Sequence, residues 1–298
     1  MSNKNSFGDI FKKIFGSPPP KPVPTKKPTP QPRTNHKPIQ HPIKPVEKEE
    51  KKTEAPKVKV EQKETVNYRA EFMKVFKRLT YRHRSWNIWS DFIIMFACSI
   101  SNAVDKKYYD EREKLYLKTI KKYNKEEQMM FPELVAHTVM ALEMNQEQDF
   151  LGSIFMDLKL GNESGGQFFT PYHVAELMSA VTLDGCVQDV NDKGYFTIHD
   201  SCCGAGVMLI ASISESRKVL EKENLNYQNH ILVTGQDIDF VTALMCYIQI
   251  SLMGVAGYVK VGNSLTEPMC DGDDLSNYWF TPIYFSDVWT MRRLFRSL

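Results

Sequence analysis

Hydrophobic residues in the second half of the chain alternate between short runs typical of strands and longer runs typical of helices. The short runs lie at 195–199, 231–234 and 258–261, and helical patterns follow the first two at about 207–212 and 240–254. Strands separated by helices predict a parallel sheet, because a crossover connection returns the chain to the same end of the sheet. The sequence therefore predicts an α/β domain over 162–298, with the carboxyl ends of its strands at one shared edge.

The region before this domain has a helical pattern throughout. Large apolar residues recur at helical spacing through 85–104, and a second amphipathic pattern covers about 132–144. The strictly apolar stretch 92–98 is far too short to cross a bilayer. We therefore expect residues 67–161 to form a helical subdomain, and we predict no transmembrane segment.

The first 66 residues differ in composition from everything that follows. They hold 12 of the 16 prolines and carry a net charge of +8, from 15 basic and 7 acidic residues, whereas the remainder carries −6. Such a segment buries too little apolar surface to offset its ordering entropy. A disordered Pro/Lys-rich linker is therefore predicted over 17–66.

A short amphipathic helix is predicted at the tip of this linker, within residues 1–16. Its apolar residues share one helical face: Phe7, Ile10, Phe11, Ile14 and Phe15. So short a helix is marginal alone in water, and we expect it to form by docking in the groove of a protein partner. Contact with a membrane surface and a chance arrangement in a disordered tail are the alternatives.

The charge distribution limits nucleic-acid binding. Affinity for duplex DNA comes largely from neutralised phosphates, so an acidic body is a poor DNA clamp by itself. One basic cluster interleaved with aromatic residues is a candidate contact: Lys74, Lys77, Arg78, Arg82 and Arg84. A solvated helix face is the simpler interpretation of the same residues.

The stretch 200–206 is the most informative part of the chain. It follows the first predicted strand, begins with Asp200, contains Gly204 and Gly206, and leads directly into a helical pattern. A strand that ends in an acid and a Gly-x-Gly turn brings backbone N–H groups close to a nucleotide-like ligand. The alternative is a turn needed only for packing.

Polar residues also follow the other two predicted strands, at Asp237 and Asn263. Upstream, Gly-Gln-Phe-Phe-Thr-Pro occupies 166–171, where Thr170 is predicted as a helix N-cap and Pro171 as the first helical residue. The three strand ends are expected to line one crevice.

This ordered set resembles the adenine-specific (N6) DNA methyltransferases, in particular the modification subunit of type I restriction–modification systems. The Gly-Gln-Phe-Phe-Thr-Pro sequence matches the family closely, and the loop at 200–206 matches the family's Asp-x-x-Cys-Gly-x-Gly. The strand end at 235–238 matches the family's Gly-Gln-Glu-Ile, with Asp237 in the place of the glutamate. At 262–265 the family's Gly-Asp-x-Leu is Gly-Asn-Ser-Leu, so Asn263 replaces an acid. The resemblance covers roughly 86–265.

The resemblance implies a Rossmann-like methyltransferase sheet that binds S-adenosyl-L-methionine (SAM). The implied cofactor-binding residues are Phe169, Thr170, Pro171, Asp200, Cys202, Gly204, Gly206, Asp237 and Asn263. An acid at Asp237 suits the ribose hydroxyls, and Asn263 still accepts a hydrogen bond without bringing charge. Capping of the next helix by Asp237 and a turn role for Asn263 are the alternatives.

The residues that receive the target base are less evident. In the family a fourth strand ends in Asn/Asp-Pro-Pro-Tyr/Phe, whose amide accepts the adenine amino hydrogens while the ring stacks on the flipped base. The corresponding stretch 276–282 lacks both prolines, although Asn277 and Phe280 keep the outer positions. Either these two form a degenerate catalytic loop, or the aromatic residues around them cover an open sheet edge. The sequence also predicts a methyltransferase domain truncated after its cofactor-binding half.

The cysteines and histidines give no further site. None of the six cysteines forms a C-x-x-C pair, so we expect small, reduced, buried residues. No metal ligand set is predicted. A nucleophilic role for Cys202 or Cys203 would need an activating base, and none is evident.

Two classes of function remain open at this stage. The first is a cytoplasmic SAM-dependent adenine DNA methyltransferase that acts on DNA, with a specificity subunit or another protein as partner. The second is a catalytically inactive SAM-binding or scaffold protein of a restriction–modification or mobile-element system.

Overall fold

The computed structural model describes residues 66–161, 169–183 and 185–296. The predicted N-terminal helix and most of the linker lie outside these ranges. The same is true of residues 162–168, which include the start of the Gly-Gln-Phe-Phe-Thr-Pro sequence.

Five helices form the first part of the described chain. They are α1 (Tyr68–Leu79), α2 (Ser85–Val104), α3 (Tyr109–Ile120), α4 (Lys125–Met144) and α5 (Phe150–Asp157). Helix α4 begins seven residues earlier than predicted and contains Pro132. The reason is a capping box at Asn124 and Glu127, in which each side chain accepts a hydrogen bond from the other residue's backbone N–H.

Helix α2 is the core of this helical part. Its large apolar residues are almost completely buried: Ile88, Trp89, Phe92, Ile93, Phe96 and Ile100. Among the described helices it is the one whose length and hydropathy would also suit a bilayer. However, 61% of its apolar 18-residue stretch is buried inside the protein. Burial against α3 and α10, and ring contacts with Phe72 and Phe76 of α1, account for its apolar character.

A four-stranded sheet follows, with helices between its strands. The elements are α6 (Tyr172–Thr182), α7 (Cys186–Lys193), β1 (Phe196–Asp200), α8 (Val207–Lys222), α9 (Tyr227–His230), β2 (Ile231–Asp237), α10 (Phe240–Leu252), β3 (Ala256–Val261), β4 (Tyr278–Phe280) and α11 (Asp287–Arg296). The expected mixed α/β class is confirmed. Short 3-10 turns at Leu275–Asn277 and Pro282–Phe285 flank β4.

The strand order is β1-β2-β3-β4. The first three strands are parallel, with Asp200 opposite Gly235 and Asp237 opposite Val261. Strand β4 runs antiparallel to β3, with Trp279 opposite Val259. The ends of β1, β2 and β3 therefore lie side by side at one edge of the sheet, called here the carboxyl edge.

The helical part and the sheet share one core. Helix α10 packs on β2 and β3 with one side and on α2 with another. Arg112 of α3 reaches the outermost strand β4, where its Nη2 donates to the carbonyl of Tyr278 at 2.7 Å. The sheet is thus supported by the helices that precede it in sequence.

Candidate functional site

The glycine loop between β1 and α8 is fastened to the neighbouring strand β2. The backbone N–H of Gly204 donates to Oδ2 of Asp237 at 2.8 Å, and the N–H of Cys203 donates to the carbonyl of Gln236 at 3.0 Å. Asp200 closes its own turn by accepting from the N–H of Cys202 at 3.0 Å. Asp200 and Asp237 are thereby brought to the same loop, as the sequence predicted.

The two glycines of this loop have different reasons to be glycine. Both have positive φ angles, +53° at Gly204 and +96° at Gly206, a region that other residues rarely adopt. A Cβ on Gly206 would lie 2.8 Å from Sγ of Cys246 and 3.3 Å from its Cα, so this position serves packing against α10. A Cβ on Gly204 would meet only the ring of Phe169, at 3.4 Å.

Phe169 is the apolar wall beside the loop. Its ring lies near Gly204 and packs on Phe155 of α5 with centroids 5.3 Å apart. The predicted capping here is wrong by one residue. The carbonyl of Pro171 accepts the N–H groups of Val174 and Ala175, so Pro171 is the N-cap and α6 begins at Tyr172. Thr170 precedes the helix and is exposed.

Asp237 is the most connected acid of the carboxyl edge. Its Oδ2 accepts from Gly204, and its Oδ1 accepts from the N–H of Asp239 at 2.9 Å and from Oγ1 of Thr242 at 3.3 Å. The cap of α10 is Asp239, whose side chain accepts from the N–H of Thr242. Asp237 is therefore not the helix cap, and it joins the glycine loop to the end of β2.

Asn263 forms a turn after β3. Its Oδ1 accepts from the N–H of Leu265 at 2.9 Å, as asparagine does in an Asx turn. Gln236, buried in β2, secures the same connection by donating to the carbonyls of Gly262 and Glu267. The amide oxygen of Asn263 is thus already in use, while the side chain stays half-buried at the edge.

The cysteines of the loop are unlike each other. Cys202 is exposed and its Sγ lies 3.8 Å from Oγ of Ser264, whereas Cys203 is buried. A hydrogen bond with Cys246, burial, and the charges of Asp237 and Asp200 raise the pKa of Cys203 well above its ordinary value. Cys203 therefore stays a thiol. The expectation of six buried cysteines is wrong for Cys202 and Cys270, which are exposed, and all six are free thiols.

Asn277 of the predicted catalytic pair lies at the far end of the same edge, whereas Phe280 lies opposite Tyr258 within the sheet. Asn277 immediately precedes β4, and its Nδ2 donates to the carbonyl of Val261 at 2.8 Å, while its Oδ1 is buried without a hydrogen-bond partner. Phe280 is buried within an aromatic group that includes Tyr258 and Tyr284. The geometry matches the interpretation that these aromatic residues cover a sheet edge.

The sequence analysis assigned no role to two buried glutamines, Gln236 and Gln249. Gln249 lies in α10 and donates to the carbonyl of Ala205 in the glycine loop at 2.9 Å. The available signal was a strongly polar residue inside an otherwise apolar run, because such a side chain is buried only when its hydrogen bonds are satisfied.

Two other features lie apart from this edge. A cavity of about 730 Å³ is lined by residues of α7, α11 and the start of β1, including Lys193, Tyr195 and Phe295. Because it lies at the opposite end of β1 from Asp200, we do not assign the site to it. Within the described ranges, no group of three His, Cys, Asp or Glu side chains is placed to hold a metal ion.

Comparison with known proteins gives two findings. Residues 152–297 match the model of the N-6 DNA methylase family. Over 102 residues the chain is 30% identical to the type I restriction enzyme MpnII methylase subunit of Mycoplasma pneumoniae, a stretch that covers 34% of this chain and 16% of that protein. No solved structure matches the chain.

Proposed function

The α/β part of this chain belongs to the N-6 DNA methylase family, and we propose that its carboxyl edge binds SAM as the methyl donor for the N6 amino group of adenine in DNA. The observation that carries the proposal is the hydrogen bond from the N–H of Gly204 to the side chain of Asp237, close to Asp200. This arrangement joins a glycine loop and two acids at the ends of adjacent parallel strands, where α/β proteins bind nucleotide-like ligands.

The charge of the edge suits this cofactor. SAM carries a positively charged sulfonium, and the edge presents carboxylates at Asp200, Asp237 and Asp239. A carboxylate oxygen accepts up to two hydrogen bonds, so Oδ2 of Asp237 can hold the loop and still accept from one ribose hydroxyl. Phe169 supplies an apolar surface next to Gly204, and we assign Thr170, Pro171, Cys202 and Asn263 to the same binding site. Bound there, the cofactor would supply the methyl group.

The acceptor side of the reaction is proposed for Asn277. Its Oδ1 lies at the same edge and lacks a hydrogen-bond partner, which leaves it able to accept from an amino group once it is exposed. Phe280 is the corresponding candidate for stacking on the base, and this role requires β4 to move away from its buried position.

A second candidate function is cofactor binding without catalysis. The buried ring of Phe280 and the buried oxygen of Asn277 favour it, since neither group reaches solvent in this conformation. The chain would then act as a SAM-binding or scaffold component of a restriction–modification or mobile-element system.

Partners and location follow from the same proposal. The Mycoplasma relative is a methylase subunit of a type I restriction enzyme by name, so we propose that DNA binding here depends on a partner such as a specificity subunit. Residues 7–15 are proposed as the docking peptide for that partner or another protein, and the cytoplasm as the compartment.

Calorimetric titration with SAM tests the cofactor proposal. The native chain is expected to bind, and Asp237→Ala is expected to weaken binding by about tenfold or more, because a ribose acceptor and the Gly204 fastening are both lost. Asp189→Ala on the exposed face of α7 is the matched control and should bind as the native chain does. Absence of binding heat in the native chain would refute SAM binding at this edge.

Transfer of labelled methyl groups to genomic DNA separates the two candidate functions. Incorporation that disappears in Asn277→Ala while SAM binding is retained supports the methyltransferase. No incorporation at saturating SAM, with and without the candidate partner subunit, supports the non-catalytic alternative.

A further inference from the structure

Gln249 links three separate segments of the protein through one buried side chain. Its Nε2 donates to the carbonyl of Ala205 in the glycine loop at 2.9 Å and to Oδ1 of Asp149 at 2.8 Å. Its Oε1 accepts from the N–H of Leu151 at 3.0 Å. With 1% of its surface exposed, Gln249 depends on these partners, because an unsatisfied buried amide is costly.

Asp149 forms the other half of this network. It is the N-cap of α5 and accepts from the N–H of Gly152 at 2.8 Å with the same oxygen that accepts from Gln249. A Cβ on Gly152 would lie 2.0 Å from the other carboxylate oxygen, so the chain has a glycine where the carboxylate needs the space. The acid is therefore held at a fixed place between the helical part and α10.

The network fixes one peptide unit of the glycine loop. The carbonyl of Ala205 is held by Gln249, and the N–H of Gly206, at the other end of the same peptide unit, donates to the carbonyl of Cys203 at 2.8 Å. A peptide unit engaged at both ends does not flip. The loop between the left-handed residues Gly204 and Gly206 therefore keeps one conformation before any ligand arrives, which lowers the ordering cost of binding.

We propose that Gln249 and Asp149 are positioning residues that hold the glycine loop in its cofactor-binding conformation and connect it to the helical part of the protein. The inference rests on the proposed function, in that the ligand of the loop is taken to be SAM. Neither residue touches the ligand; both act through the carbonyl of Ala205.

Protonation of Asp149 gives the network a distinctive pH dependence. Burial raises the pKa of Asp149 to about 6, against the hydrogen bonds from Gln249 of α10 and Gly152 of α5 and the charge of Arg69 of α1. An ionised carboxylate makes a stronger hydrogen bond than a neutral carboxyl group. The hydrogen bond from Gln249 to Asp149 is therefore strongest above about pH 6 and weakens below it.

The test compares two glutamine substitutions. Gln249→Leu removes the hold on Ala205, and Gln228→Leu is the matched control, because Gln228 is also buried but donates to the carbonyl of Gly254. We expect Gln249→Leu to weaken SAM binding by about tenfold, which corresponds to about 1.4 kcal/mol, and Gln228→Leu to leave it unchanged. Equal SAM affinity in native protein and Gln249→Leu overturns the positioning role while leaving the proposed function intact.

Two further readouts distinguish positioning from general stability. Asp149→Asn keeps an acceptor for Gln249 without the charge, so its SAM affinity should stay level between pH 7.5 and 5.5, whereas native affinity should fall severalfold with a midpoint near pH 6. Amide hydrogen exchange without SAM should speed up at 204–206 in Gln249→Leu and not in Gln228→Leu. Unchanged exchange there overturns the proposal, whether or not the protein binds SAM.

Discussion

The two ends of the carboxyl edge have opposite character although their strands lie side by side. At β1 and β2, polar groups are joined by hydrogen bonds between loop and strand, and Cys202 of the loop is exposed. At β3 and β4, the aromatic side chains of β4 are buried, and Arg112 holds the strand by donating a hydrogen bond to the carbonyl of Tyr278. The first end, called here the open end, has the features of a ligand site. The second end, called here the closed end, has those of a covered sheet edge.

Loss of Arg112 is expected to have the largest effect on stability, because it removes the contacts that hold β4 at the closed end. Arg112 forms a buried ion pair with Asp105 at 2.7 Å and lies 4.4 Å over the ring of Trp279. Arg112→Ala leaves Asp105 buried without its partner, and we expect about 3–5 kcal/mol of lost stability in urea unfolding.

Arg82→Ala is the control for that substitution. Arg82 is an exposed arginine 3.6 Å from Glu127, and its loss should cost less than about 1 kcal/mol. The variant Arg112→Ala combined with Asp105→Ala should recover part of the stability. Similar losses for Arg82→Ala and Arg112→Ala would show that Arg112 does not anchor β4.

Gly206→Ala tests how closely the glycine loop packs against α10 at the open end. The added Cβ meets Cys246 and the residue must keep a positive φ, so we expect about 2–4 kcal/mol of lost stability. Gly185→Ala has a similar strain, with φ +79°, but nothing lies within 4 Å of its Cβ. Its cost in the same denaturation experiment should be nearer 1 kcal/mol, and equal costs would contradict the packing role of Gly206.

The pH dependence of stability measures the cost of burying the Asp149 carboxylate between the helical part and α10. Since burial raises the pKa of Asp149 from 3.8 to about 6, the folded state binds this proton more tightly than the unfolded state. The resulting stabilisation is fully present below about pH 3.8 and is lost as the pH rises through about 6, with a size of about 3 kcal/mol.

The experiment is a comparison of native protein and Asp149→Asn between pH 4.5 and 7.5. Other carboxyl groups titrate in both proteins and cancel in the difference. The free energy of unfolding of Asp149→Asn should gain on that of the native protein by about 2 kcal/mol over this range. A constant difference would mean that the pKa of Asp149 is not raised.

Asn277→Ala should have the smallest effect on stability and gives the sharpest test of the closed end. It removes one hydrogen bond to Val261 together with a buried unpaired oxygen, so we expect a change within about 1 kcal/mol. If the closed end only covers the sheet, SAM binding is unaffected as well. Loss of methyl transfer at unchanged stability would instead assign catalysis to this end.

Much of the fold was predictable because local patterns carry it. The strands before Asp200 and Asp237 and the helices after them follow from apolar runs and turn residues that do not need distant contacts. The start of α4 was missed, although Asn124 and Glu127 are a sequence signal for a capping box. The one-residue error at Pro171 has the usual size of a boundary error.

The site was predictable in part. The sequence placed Asp200, Gly204 and Asp237 together, because the ends of parallel strands share an edge. It left open whether Asp237 caps a helix and whether Asn263 is a turn residue, since both answers depend on hydrogen bonds across several residues. It could not find the link from Gln249 to Ala205, which are 44 residues apart.

The sequence by itself determined the mixed α/β class, the order of its strands along the chain and the motifs by which it resembles adenine DNA methyltransferases. Only the tertiary structure decided that β4 closes the edge next to β3, that Gly206 serves packing while Gly204 faces Phe169, and that Asp149 and Gln249 hold the glycine loop. The physical reason is that motifs reside in neighbouring residues, whereas burial, clashes and hydrogen-bond partners are set by residues that meet only when the chain has folded.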